Sequence, residues 1–273
     1  MSDYSELDIT ANGIQIHYYR STPPGGAPPV VILHGLSDSG LCWARVANTL
    51  RNQYDIILPD TRGHGHSEKP ISGYGIDQRA ADVAALIDAL GLDRPVLIGH
   101  SLGGETASAV AAFYPERVRA LVLEDPAWMP NDSEPEQAKQ AENWVVGLRR
   151  DKSLGREGLA AHIRATNPGW HEEEIVPWVE SKLQMSEDAL RKILMEMQPG
   201  WQDLARRIQC PTLLVTGDVQ QGVIISPAQF QEIAALNQRI REVHIPNAGH
   251  NIHRDQFEPY IQQVQGFLDE VLK

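Results

Sequence analysis

The apolar run Pro95-Val96-Leu97-Ile98 leads into Gly99-His100-Ser101-Leu102-Gly103, and the Ala-rich stretch Glu105 to Phe113 follows. That order reads as strand, sharp turn and helix, and it constrains the chain more than any other stretch. Glycines on either side of the serine tolerate strained backbone and a close strand-helix approach, which lifts the hydroxyl out of the sheet into the open. A Gly-x-Ser-x-Gly pentapeptide by itself is a common turn. The strand before it and the helix after it give Ser101 the setting of a nucleophile at an elbow.

Composition narrows the class. With 273 residues, 42% of them hydrophobic, the chain can bury one large α/β core with room for an insertion. The formal charge is −12, from 24 basic and 36 acidic residues. A nucleic-acid partner drawn by electrostatics would need clustered Lys and Arg, so a small neutral molecule is the expected partner. Cys42 and Cys210 lie far apart with no metal spacing, which points to a reducing cytoplasm rather than a disulfide framework. No signal peptide is read at Met1 to Glu6, and no stretch approaches a membrane span.

In chain order, Leu7 to Thr10 and Ile14 to Arg20 are β-rich runs joined at Asn12-Gly13, a hairpin dipeptide. A Pro/Gly-rich loop over Thr22 to Pro29 precedes Val30 to Leu33, apolar throughout like a strand buried on both faces. His34-Gly35-Leu36-Ser37 ends that strand, and helical spacing continues through Trp43, Val46, Ala47 and Leu50. Tyr54 to Leu58 is the next strand, leading into the Gly-rich loop Asp60 to Ser67. Asp77 to Leu90 has helical spacing closed by Gly91. After the elbow helix, Val118 to Leu123 is a strand ending in Glu124-Asp125-Pro126. Strand-helix alternation implies a mostly parallel sheet with its functional crevice at the strands' C-terminal ends.

The alternation stops between Pro126 and about Arg207, where amphipathic helices and prolines take over. We expect a helical cap over 126–207 inserted into a core of 1–125 and 208–273. Five of the six tryptophans fall there, Trp128, Trp144, Trp170, Trp178 and Trp201, and most are expected to form the core of that helical subdomain. One or two could instead line an apolar substrate pocket. The sheet resumes at Pro211 to Thr216, followed by a helix over Pro227 to Leu236 and a strand at Arg241 to Ile245. Gly249-His250 comes next, and a closing helix with Tyr260, Ile261, Val264, Phe267 and Leu268 on one stripe packs on the sheet.

The chain as a whole resembles the α/β-hydrolase fold superfamily. His34-Gly35 after the third strand, Asp60 to Ser67 after the fourth, the elbow after the fifth and Gly249-His250 after the last fall in the family's order. The resemblance implies an eight-stranded, mostly parallel sheet with helices on both faces. It implies Ser101 as nucleophile and His250 as general base, which chemistry supports: a serine hydroxyl needs an imidazole to take its proton and an acid to hold the imidazole's tautomer. The N–H of Leu102, at the N-terminus of the elbow helix, points where an oxyanion would form, and that of Leu36 looks like its partner. Of the other histidines, His64 and His66 read as loop-structuring, His34 as a turn residue, His100 as an elbow neighbour, and His253 as a surface or supporting group.

The acid has two candidates. Family members usually place it after the seventh strand, three residues past a glycine, where this chain has Gln220; Asp218 stands two residues early. Haloalkane dehalogenases and some lactonases place it at the end of the sixth strand, where Asp125 sits, and Gly222 to Pro227 resembles the acid-free loop of the dehalogenases. Asp125 is favoured. The expected activity is hydrolysis of a small, mainly apolar carboxylic ester or lactone through an acyl-enzyme, with no cofactor and no metal. A C–C bond hydrolase or a perhydrolase would keep the same groups, and a receptor on a hydrolase scaffold could retain them. Relatives with an aspartate nucleophile are excluded by Ser101.

Overall fold

The computed structural model describes residues 4–21, 25–129, 133–197 and 200–272. Met1 to Asp3, residues 22–24 of the first loop, and residues 130–132 and 198–199 of the 126–207 segment lie outside the described residues. The strands are β1 (Tyr4–Ala11), β2 (Ile14–Ser21), β3 (Pro29–Leu33), β4 (Asp55–Pro59), β5 (Val96–His100), β6 (Ala120–Glu124), β7 (Thr212–Thr216) and β8 (Ile240–His244). They form one 8-stranded sheet in the order β1-β2-β4-β3-β5-β6-β7-β8. β1 pairs antiparallel with β2 across the Asn12-Gly13 turn, β2 pairs antiparallel with β4, and the other pairings are parallel. The helices are α1 (Ala44–Leu50), α2 (Ile76–Ala89), α3 (Leu102–Phe113), α4 (Glu134–Ser153), α5 (Gly155–Thr166), α6 (Glu172–Gln184), α7 (Glu187–Met195), α8 (Trp201–Arg207), α9 (Pro227–Leu236), α10 (Ile252–Asp255) and α11 (Phe257–Leu272). None is long and apolar enough to cross a membrane.

The continuous apolar runs of the central strands follow from burial on both faces. Val31, Leu33, Leu97, Leu121 and Leu123 pack with residues of α2, α3, α8 and α9. The alternate residues Val30, Ile32, Val96, Ile98 and Val122 pack on the other face with α1 and α11. Each fully buried aliphatic side chain contributes about 1.5–3 kcal/mol of transfer free energy. The sheet is thereby a stiff platform, and its C-terminal edge holds the strand ends that carry Leu36, Ser101 and Asp125.

Helices α4 to α7 lie between β6 and β7 in sequence. α4 and α7 pack together through Val145, Leu148, Leu190 and Ile193, and α5 and α6 through Leu159, Ile163, Ile175 and Val179. The tryptophans depart from the expectation that most would build this segment's core. Trp128 and Trp201 stack on each other, with centroids 5.7 Å apart, inside the core beneath the sheet. Trp144 is 47% exposed. Only Trp170 and Trp178 pack in the α5–α6 cluster. The physical reason is that α8 lies on α3 and α9, so the stretch that reads as insertion starts and ends on residues buried with the sheet.

Buried titratable groups gather at the sheet's C-terminal edge. His34, His64, His100 and His253 are each 3% exposed or less. Burial pushes the His100 and His253 imidazoles down to about 3, holds His64 well below the usual histidine value, and lowers His34. All four are therefore neutral in the fold near neutral pH.

Two expectations follow from this packing. A β-carbon at position 103 would stand 2.2 Å from the Leu33 carbonyl oxygen, and one at position 99 would stand 2.4 Å from the Gly103 carbonyl oxygen. Both obstacles are backbone, so Gly103→Ala should force β3 and α3 apart and cost about 1–3 kcal/mol, as overpacking does, measured by urea unfolding. The histidines set an acid limit. An unfolded chain binds protons below about 6.5 while these buried rings bind none until near their lowered values, so stability should fall as pH drops below about 6.5. Glu124, raised by burial, works in the opposite sense. His100→Gln should lower the slope of unfolding free energy against pH by about one proton between pH 6.5 and 5, read from denaturant melts.

Candidate active site

Ser101 joins β5 to α3 with φ 52° and ψ −117°, a conformation rarely adopted by a non-glycine residue. The surroundings hold it there. Its N–H donates to the Glu124 carbonyl (3.0 Å), and its carbonyl accepts from Glu105 N–H (3.0 Å) and Ala127 N–H (2.9 Å). The ends of β5 and β6 are thus locked together around the serine.

Asp125 directly follows β6, with φ 38°, and is wholly buried. One of its carboxylate oxygens lies 2.5 Å from His250 Nδ1. An ionised carboxylate only accepts, so Nδ1 carries the proton of that bond and Nε2 is left able to take another. The carboxylate also accepts from Ile224 N–H, at 3.0 and 2.9 Å to its two oxygens, and from Ile225 N–H at 2.9 Å. The 222–227 loop therefore supplies amide donors to the carboxylate rather than a carboxylate of its own. Asp218 is held elsewhere: it accepts from Asn247 N–H (2.8 Å) and lies 3.0 Å from His244 Nε2. Gln220 sits exposed in the turn after β7. Of the two candidate carboxylates, Asp125 is the one hydrogen-bonded to His250.

The His250 backbone is also fixed. Its carbonyl accepts from His100 Nε2 at 2.8 Å, so the elbow neighbour holds the histidine loop. His253 is not a surface residue. It is buried, stacked on Trp43 at 4.1 Å, with its N–H and Nδ1 bonded to the Glu124 carboxylate at 2.8–3.0 Å. His34 takes the turn role expected of it, donating from Nδ1 to the Gly35 carbonyl (2.8 Å) and accepting at Nε2 from Thr61 N–H (3.0 Å). His64 Nδ1 bonds the Arg62 carbonyl and the N–H of exposed His66 caps Asp60, so both order the 60–67 loop.

Leu36 lies in the turn after β3, and Leu102 opens α3 just after β5. Leu102 belongs to one apolar cluster with Tyr74, Val145, Leu190 and Ile193, and Leu36, partly buried, packs against that cluster. The turn bearing Leu36 closes through Asp38 N–H donating to the Gly35 carbonyl (3.2 Å). A second buried constellation follows it. The Asp38 carboxylate takes Lys182 Nζ and Arg254 Nη2, each at 2.7 Å. Burial alone would raise the Asp38 carboxyl, but the Arg254 and Lys182 charges outweigh it and hold it well below the usual carboxylate range. Sequence reading did not find Asp38, Glu124, Lys182 or Arg254 as site-supporting residues. The available signal was position: Asp38 is two residues past Leu36, Arg254 four past His250, and Glu124 adjoins Asp125.

A family model described as alpha/beta hydrolase fold matches residues 28–153. N-formylmaleamate deformylase of Pseudomonas putida is 30% identical over 268 residues, covering 97% of each chain. A 2-(acetamidomethylene)succinate hydrolase of Mesorhizobium japonicum is 25% identical, covering 90% of this chain and 89% of its own. Among solved structures, a thermophilic esterase from Thermogutta terrifontis matches with a TM-score of 0.75 at 25% identity, covering 98% of this chain and 99% of that one. By its elbow, its sheet order and its likeness to these relatives over nearly its whole length, the chain belongs to the α/β-hydrolase superfamily and is a hydrolase.

Proposed function

We propose that the chain hydrolyses a small, mainly apolar carboxylic ester or lactone through an acyl-enzyme formed on Ser101. The observation that carries this reading is the bond between His250 Nδ1 and the buried, amide-held Asp125 carboxylate, in the same molecule as a serine in elbow conformation. In the proposed reaction His250 Nε2 takes the Ser101 proton as Oγ attacks the substrate carbonyl. The tetrahedral oxyanion is met by the N–H groups of Leu36 and Leu102, a kind of donor worth about 2.7–4 kcal/mol each in serine hydrolases. Collapse expels the alkoxide, protonated by His250, and leaves the acyl-serine. Water, activated by the same imidazole, then releases the acid and restores Ser101. Asp125 keeps the proton on Nδ1 and stabilises the imidazolium without itself becoming protonated.

A second reading is supported by the relatives' names. A deformylase and an acetamidomethylene hydrolase act by name on amides, and the same groups can protonate a departing nitrogen. The esterase from Thermogutta terrifontis favours the ester. A panel of p-nitrophenyl esters and simple lactones, run beside N-formyl and N-acetyl amides, separates the two: ester or lactone turnover well above amide turnover is expected. Activity confined to the amides would replace the ester reading.

Two substitution series test the roles. Ser101→Ala should lower kcat by roughly 10⁴–10⁶ and abolish fluorophosphonate labelling with an unchanged melt. Full-stoichiometry labelling of the variant would refute the assignment. Asp125→Asn should cost roughly 10⁴ in kcat, because an amide presents the wrong hydrogen-bond partner to Nδ1. Asp218→Asn should cost far less, since its carboxylate serves His244 and Asn247. The opposite ranking at equal melting temperature would move the acid to the loop after β7.

A further inference from the structure

Lys182 sits on α6, a helix of the inserted segment, yet its side chain is only 7% exposed. Its ammonium donates to the Asp38 carboxylate (2.7 Å) and to the Ser37 carbonyl (3.0 Å). Those acceptors belong to the two residues directly after Leu36. A buried ammonium is tolerated only when paired and hydrogen-bonded, so this contact is a fixed part of the structure rather than a solvated ion pair.

The geometry of the turn makes the contact consequential. Ser37 has φ 62°, a left-handed conformation that a serine keeps only where its surroundings hold it. The Ser37 carbonyl gripped by Lys182 belongs to the peptide unit that follows this residue. The same unit carries the Asp38 N–H, which donates to the Gly35 carbonyl at 3.2 Å, and that carbonyl shares one planar peptide with the Leu36 N–H, so releasing the Ser37 carbonyl frees the bond that orients the Leu36 N–H. Arg254 cannot replace the grip. Four residues past His250, it bonds the other carboxylate oxygen of Asp38, and its guanidinium otherwise meets Asn251 and the face of Trp170. Among the described residues, Lys182 is the one bonded to the Ser37 carbonyl.

We propose that Lys182 is a positioning residue that holds the Gly35–Asp38 turn in the conformation presenting the Leu36 N–H, so that seating of α6 and completion of the oxyanion site are one event. The proposal rests on the assignment of Leu36 made under the proposed function. The Leu36 side chain, packed against the apolar cluster that includes Val145, Leu190 and Ile193, gives the same turn a second, apolar attachment.

Lys182→Met tests it. The change keeps the side chain's length and leaves Asp38 paired one-to-one with Arg254, so no uncompensated charge is buried. Hydrogen exchange of backbone amides 35–40 should quicken about tenfold or more in Lys182→Met and return toward wild type in Lys182→Arg, whose guanidinium can bond both acceptors. With ester substrate, kcat should fall about 10- to 100-fold, less than outright loss of an oxyanion donor, while KM stays within about threefold. Binding of a boronic acid that forms a tetrahedral adduct should weaken by the same factor as kcat/KM, which a merely structural role would not produce. If Lys182→Met does not fold, Lys182→Gln, which keeps a donor without the charge, is read by the same measures. Unchanged exchange at 35–40, or a folded variant with kcat within about threefold of wild type, overturns the proposal. A wild-type protein that turns over no ester and takes no fluorophosphonate label would remove the proposed function instead. The exchange result would still decide this inference, because it reads the turn and not the chemistry.

Discussion

The approach of α3 to the ends of β3 and β5 is the constraint from which the rest of the site descends. Gly103 lies so close to the Leu33 carbonyl that no side chain fits between them, and Gly99 is pressed against Gly103 in the same way. That contact fixes where the helix begins and leaves Ser101 no relaxed conformation to adopt. The strain is held by the bond of the Ser101 N–H to the Glu124 carbonyl and by those of the Glu105 and Ala127 N–H groups to the Ser101 carbonyl. The serine is placed by backbone, and the side chains around it are arranged afterwards.

Three buried carboxylates then join segments that the sheet alone would leave independent. Asp125 ties the end of β6 to the histidine loop and to the 222–227 loop. Glu124, its neighbour, ties the same strand to α10 through His253. Asp38 ties the turn after β3 to α10 and to α6. Each is satisfied by several donors, which is the condition under which a buried charge specifies one arrangement instead of weakening it. Glu124 and Asp38 differ in character: burial raises the first, whose direct partner is a neutral histidine, while two cations hold the second well below the usual range.

Much of this was legible in the sequence because it is local. The uninterrupted apolar run Val30 to Leu33 could only be a strand covered on both sides, and the alternation around it gave the parallel sheet. Gly99 to Gly103 declared the elbow through the apolar run before it and the Ala-rich stretch after it, and Asn12-Gly13 declared the hairpin. Long-range pairing was not legible. Nothing near Lys182 distinguishes it from the solvent-facing lysines of an amphipathic helix, and its partner Asp38 is 144 residues away. Trp201 carries no mark that it belongs with Trp128 under the sheet, because helical periodicity names an apolar face and not the surface it meets. His253 could be read as a surface or a supporting group for the same reason.

The packing of Leu36 and Leu102 into the α4–α7 cluster bears on modularity. Inserted helices in an architecture of this kind look exchangeable, since they enter and leave between two adjacent strands and could be grafted as a unit to alter selectivity. Here the two residues proposed to present the oxyanion amides root their side chains in that unit. A transplanted segment would have to rebuild those two sockets before it could contribute a new pocket wall, so in this protein recognition and reactivity cannot be recombined as separate parts.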